Sequence, residues 1–99
     1  MTRVLRLRPR AQADLDDIWE FTRDRWSEDQ ARNYFRSLSS TFDLILAHPE
    51  MARERHEFSP PVRIHTVRSH VVIFQANEEA LEIIRIVHAR SNWTAILSE

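Results

Sequence analysis

Two periodicities divide the chain. From Ala11 to Trp26 apolar residues recur at helical spacing, at Leu15, Ile18, Trp19 and Trp26, with Phe21 to the side. A wider stripe follows at Ala31, Tyr34, Phe35, Leu38, Phe42, Ile45 and Leu46, and Pro49 ends it. From Val62 onward the period becomes two. Val62, Ile64 and Thr66 fall on one face, and Arg63, His65 and Val67 on the other. The next two runs, "HVVIFQA" and "LEIIRIV", are apolar on both faces, as in interior strands covered on both sides. Strict alternation places His88 and Arg90 in phase with Ile84 and Ile86, and Arg85 with Ile83 and Val87. A shorter alternation, "RVLRLR", predicts a first strand before Pro9.

Local signals set the boundaries. Pro9 stands where a first helical residue tolerates proline. Asp14, Asp16 and Asp17 lie near the start of the first helix, where carboxylates favour the helix dipole. In "WSEDQA", Ser27 and Gln30 form a capping box, and Trp26 and Ala31 are spaced as a hydrophobic staple. With almost no loop between them, the two helices form an antiparallel hairpin. The strand turns are "RSH" and "NEEA"; in a chain without glycine, Asn77 is the natural residue for a positive φ. The expected fold is α+β, in the order β-α-α-β-β-β, with the helical hairpin packed on a mostly antiparallel sheet. No linker or repeat breaks residues 1–99, so one domain is expected.

Composition narrows the function. A chain of 99 residues buries roughly 65% of its unfolded surface, enough for one core with little stability to spare. There is no cysteine, which removes disulfides and thiolate metal sites, and the five histidines show no metal-ligand spacing. No cofactor is implied. The N-terminus lacks the apolar core of a signal peptide and no apolar run is long enough for a bilayer, so the expectation is a cytoplasmic protein without membrane contact. All fourteen basic residues are arginine, against fifteen acids, for a net charge of −1. That balance argues against nucleic-acid binding driven mainly by the phosphate backbone, and leaves room for a local patch.

The chain then resembles a known family. "LRPRAQADLDDIWEFTRDRWSEDQARNYFRSL" is similar to the helical hairpin of the RelE/ParE superfamily of toxins from type II toxin–antitoxin systems. "HPEMARERHEFSPPVRIHTVRSHVVIFQANEEALEIIRIVHARSNW" is similar to its C-terminal half: a Pro-containing turn, an arginine-bearing strand, a "SHVVIF" strand and a last strand ending in His-x-Arg. The ordered set looks closer to the ParE branch. That resemblance implies a toxin that inhibits DNA gyrase by surface binding, without catalysis. It also implies a cognate ParD-like antitoxin in a hetero-oligomer, with DNA engaged only indirectly through the antitoxin. The RelE branch implies the alternative, a ribosome-dependent messenger-RNA endoribonuclease. The chain departs from the family where glycines are usual, with Ala52, Val62 and Arg68 in their places. Arg8 stands at the usual serine cap, a loss near 1 kcal/mol.

The candidate residues follow from these two readings. Target contact is expected at His88, Arg90, Asn92 and Trp93. Antitoxin contact is expected at Arg63, Arg85, Leu15 and Trp19. Arg63 either meets an acid of the antitoxin or pairs internally with Glu57 or another carboxylate. A metal-free ribonuclease would use His88 as proton carrier and Arg63, Arg85 or Arg90 on the phosphate. Against it stand the absence of lysine and of a tyrosine near the C-terminus, since Tyr34 lies in the second helix. Trp93 has two readings: an exposed contact anchor, or a staple packed back on the helical hairpin. His65 and His70 are expected to be ordinary strand and turn residues.

Overall fold

The computed structural model describes residues 3–98; the expectation of one domain over 1–99 extends to 1, 2 and 99, which lie outside them. Strand β1 (Val4–Leu7) leads into helix α1 (Pro9–Arg25) and helix α2 (Glu28–Ala47). A 3-10 turn at Pro49–Met51 follows, then β2 (Glu54–Arg55), β3 (Val62–Val67), β4 (His70–Ala76), β5 (Ala80–His88) and a short helix α3 (Trp93–Ser98). The five strands form one sheet in the order β1-β5-β4-β3-β2. Three of its four pairings are antiparallel and β1 runs parallel to β5. The fold is the expected α+β arrangement, with β2 and α3 added to the predicted order.

The Ser27 cap acts as the sequence suggests, but the expected Trp26–Ala31 staple does not close: Ala31 is buried while Trp26 is 70% exposed. Ser27 Oγ accepts the Gln30 backbone N–H at 3.1 Å, and Glu28 and Asp29 occupy the first turn of α2. Arg8 provides no side-chain cap for α1; its Nε donates to Glu82 Oε1 at 2.7 Å instead. The helical stripes bury Ala11, Leu15, Ile18, Leu38, Phe42 and Ile45 against one sheet face, on Val72, Phe74, Leu81, Ile83 and Ile86. The second face carries Val62, Val71, Ile73 and Val87, packed with Phe58, Trp93, Ile96 and Leu97. Both central strands are therefore apolar on both faces because both faces are covered.

Three further local expectations are corrected. Strict alternation along β5 fails because Ile73 pairs with Arg85 while Phe74 pairs with Ile83, so Ile84 is an extra residue at a bulge. Ile83 consequently faces the helices and Val87 the opposite side. The positive φ belongs to Arg68, at 52°, and not to Asn77. Val67 pairs with His70, leaving a two-residue loop in which Arg68 takes the left-handed position. Asn77 instead closes its turn with its side chain: Oδ1 accepts the N–H groups of Glu79 at 2.8 Å and Ala80 at 2.9 Å. Finally, Asp14 is not a first-turn carboxylate on the dipole. No acid lies in the first turn of α1, and Asp14 is buried, 6% exposed.

Candidate partner-binding surface

Two polar clusters join the helical hairpin to β5. The first lies beside the bulge. Asp14 Oδ2 accepts from Arg85 Nε at 2.8 Å and from the Ile86 backbone N–H at 3.0 Å. Its Oδ1 accepts from Arg85 Nη2 at 3.1 Å, with Arg10 Nη1 at 3.4 Å. The α1 carboxylate thus satisfies a backbone N–H of β5 just beyond the point where β1 stops pairing at Ile83. A forked arginine contact compensates the buried charge. Arg85, expected to meet an antitoxin or a phosphate, is thus held inside the fold.

The second cluster forms where the β3–β4 turn and the end of β5 meet the α1–α2 connection. His70 and His88 are paired across β4 and β5, with ring centroids 5.4 Å apart. Tyr34 reaches in from α2: its Oη lies 2.5 Å from His70 Nδ1 and accepts the Ser69 N–H at 3.2 Å. Arg68 stacks over the Tyr34 ring at 5.8 Å. Burial pushes the Tyr34 phenol above its ordinary pKa. Burial also lowers the His70 pKa, helped by the neighbouring His88 and opposed by Asp14. Beside these groups opens a cavity of about 350 Å³ flanked by Phe21 and Trp26, which are 65% and 70% exposed.

The sequence candidates are divided between these places. His88 and Arg90 are exposed at the end of β5, where the Arg90 N–H donates to His88 Nδ1 at 3.0 Å. Asn92 is exposed just before α3, and its carbonyl accepts from Ala95 and Ile96. Trp93 turns away from them. It is half-buried on the sheet face opposite the helical hairpin, 6.3 Å from Phe58 and under the Arg55 guanidinium at 5.9 Å. It packs inward, but not on the hairpin, because the tail crosses to the other face. Leu15 is a core residue at 8% exposure, and Trp19 stands edge-on to Phe35 at 5.3 Å. Arg63 donates to the Ala52 carbonyl and lies 4.0 Å from Glu54, while Glu57 pairs with Arg55.

The four-residue ribonuclease constellation is not brought together. Arg85 is committed to Asp14, and Arg63 sits at the opposite end of β3 from the turn that meets His88. The residues missed were Tyr34, His70, Phe21 and Trp26. Phe21 carried a usable signal, since it lies off the buried stripe of α1. For Tyr34 no local signal existed, because its nearness to His70 is made by docking the helix on the sheet. Among the described residues no group of three or more His, Cys, Asp or Glu side chains is placed to hold a metal, and no helix is long and apolar enough to cross a membrane.

Residues 5–93 match the family described as "ParE toxin of type II toxin-antitoxin system, parDE". The chain belongs to this family, within the RelE/ParE superfamily. It is 39% identical over 92 residues to Toxin ParE1 of Caulobacter vibrioides, covering 93% of this chain and 95% of that protein. It is 36% identical over 85 residues to Toxin ParE1 of Mycobacterium tuberculosis, covering 85% and 87%. The fold resembles a chain of the structure titled "Chromosomal ParDE TA system from P. aeruginosa", with a TM-score of 0.74 over 88% of this chain and 96% of that one, at 19% identity.

Proposed function

We propose that this ParE-family toxin acts in the cytoplasm by binding DNA gyrase, without catalysis, and that a cognate ParD-like antitoxin neutralises it in a hetero-oligomer. Family membership over nearly the whole chain carries this reading. The geometry supports a contact surface over a catalytic one. Of the three arginines that an RNA-cleaving site could spend on phosphate, Arg85 is tied down by a bidentate bond to Asp14 and Arg63 lies at the far end of β3, which leaves Arg90 alone beside His88. Exposed apolar residues, in contrast, are plentiful: Val4, Phe21, Trp26, Leu44 and Met51 all stand open on a small domain. Surfaces of this kind are stabilised by a bound partner through mass action.

One observation favours the alternative. Tyr34, His70 and His88 form a contiguous set of proton-carrying groups at the open end of the sheet. Induction of the toxin without its antitoxin separates the readings. Gyrase inhibition gives lost supercoiling or trapped gyrase–DNA complexes while protein synthesis continues at early times. Immediate cuts in translated messages with intact supercoiling would establish the ribonuclease and overturn the proposal.

A further inference from the structure

The pocket beside His70 and His88 has a defined hydrogen-bonding character. His88 Nδ1 accepts the Arg90 N–H, so in the neutral ring the proton sits on Nε2. Tyr34 Oη already accepts from Ser69, and its O–H has His70 Nδ1 at 2.5 Å against the Val67 carbonyl at 3.4 Å. The shorter partner takes the proton, which leaves His70 also protonated on Nε2. Two imidazole N–H donors therefore stand side by side on paired strands. The same argument disfavours a metal, since both Nε2 lone pairs are used by protons.

The walls and rim supply the rest. Phe21 and Trp26 offer two exposed aromatic faces to a cavity of about 350 Å³, of the size that takes a small planar ligand. Arg25 precedes Trp26, Arg68 precedes Ser69, and Arg90 lies two residues beyond His88. None of these three arginines has a carboxylate partner among the described residues, whereas Arg8, Arg10, Arg23, Arg32, Arg55, Arg63 and Arg85 all do. Arg3, Arg6, Arg36 and Arg53 lack one as well, so the rim holds three of the seven arginines without a carboxylate among the described residues, and its charge is a local feature rather than a concentration of all free cations.

We infer that this pocket binds one unpaired nucleobase of a single-stranded nucleic acid, with guanine preferred. The base stacks on Phe21 and Trp26, and its paired acceptors, O6 and N7, face the imidazole N–H groups of His70 and His88. The flanking phosphates lie towards Arg25, Arg68 and Arg90. An acidic peptide would use the donors and the rim but would leave the two aromatic faces without a planar partner. The inference does not depend on gyrase being the target.

A fluorescently labelled ten-nucleotide oligodeoxynucleotide tests it by anisotropy; without a 2′-hydroxyl it reports binding separately from any RNA cleavage. The full chain binds the single strand more tightly than the corresponding duplex, and guanine-rich more tightly than cytosine-rich strands. Phe21→Ala and Trp26→Ala each weaken binding about tenfold. His88→Phe keeps a ring but removes the donor, and abolishes the guanine preference. Arg53→Ala, an exposed arginine outside the pocket, leaves binding unchanged. Equal affinity for duplex, an unaltered Trp26→Ala variant, or saturation by a Glu-flanked tryptophan peptide with no binding of the oligonucleotide would each overturn the assignment. Gyrase inhibition is read separately: its loss with base binding intact removes the proposed target and not this site.

Discussion

The two clusters that join the hairpin to β5 use similar materials to opposite ends. Beside the bulge, Asp14 receives three hydrogen bonds from Arg85 and the Ile86 backbone and is buried, 6% exposed. At the end of the sheet, His70 is half-buried, His88 is exposed, and the aromatics beside them are open. A closed polar cluster uses its bonding capacity to fix packing. An open one keeps donors and apolar area for something outside the chain. Polarity at the helix–sheet junction therefore does not mark function; unspent capacity does.

The largest expected effect breaks the closed cluster. Asp14→Ala leaves the Arg85 guanidinium and the Ile86 N–H without their acceptor, and lowers unfolding free energy by about 3–5 kcal/mol in urea titration. If the loss stays below about 1 kcal/mol, the cluster is not the anchor described. Next comes the tail. Trp93→Ala removes a half-buried ring from the second core and costs about 2–3 kcal/mol, somewhat less than a fully buried tryptophan. Melting of the antitoxin complex checks it. Unchanged melting with lost toxicity would return Trp93 to the role of a contact anchor.

These two positions also mark where sequence reading succeeds and stops. The helical hairpin, its Ser27 cap and the antiparallel pairings of β3 with β4 and β4 with β5 are encoded by local spacing, and they appear as expected. The parallel docking of β1 on β5 joins Val4 to Ala80 and has no local signature. The extra residue at Ile84 is equally silent, because an apolar run looks the same with or without a bulge. It nevertheless puts Ile83 and Val87 on opposite faces of the sheet. The candidate site suffered most. His88 was visible as a polar end to an apolar strand. Its neighbours Tyr34 and His70 are distant in sequence, and only the packing of α2 on the sheet unites them.

A smaller effect distinguishes the open cluster by titration. His70 has a lowered pKa in the folded chain, chiefly through burial, so the unfolded chain takes up this proton first. Its contribution to stability is full above the unfolded value near 6.5 and is lost as pH falls through the lower folded value. Unfolding free energy should therefore decline below about pH 6.5, and His70→Gln should flatten that decline. An identical slope in the variant would show that His70 is not the group responsible.

The smallest effect is a gain. Arg68 holds φ at 52°, which costs a non-glycine residue about 1–2 kcal/mol. The same side chain lies over Tyr34, a contact worth about 0.5–1 kcal/mol at an exposed site. Arg68→Gly relieves the first term and removes the second, so stability should rise by no more than about 1.5 kcal/mol. Oligonucleotide binding should fall at the same time, because a rim cation is gone. Arg68→Ala separates the contributions: it loses the cation while keeping the strained backbone, and should be less stable than Arg68→Gly. A glycine variant that neither gains stability nor loses binding would mean that the arginine serves neither the turn nor the rim. The opposite movement of stability and binding is what an open cluster predicts, since the group that serves a ligand is the one the fold does not need.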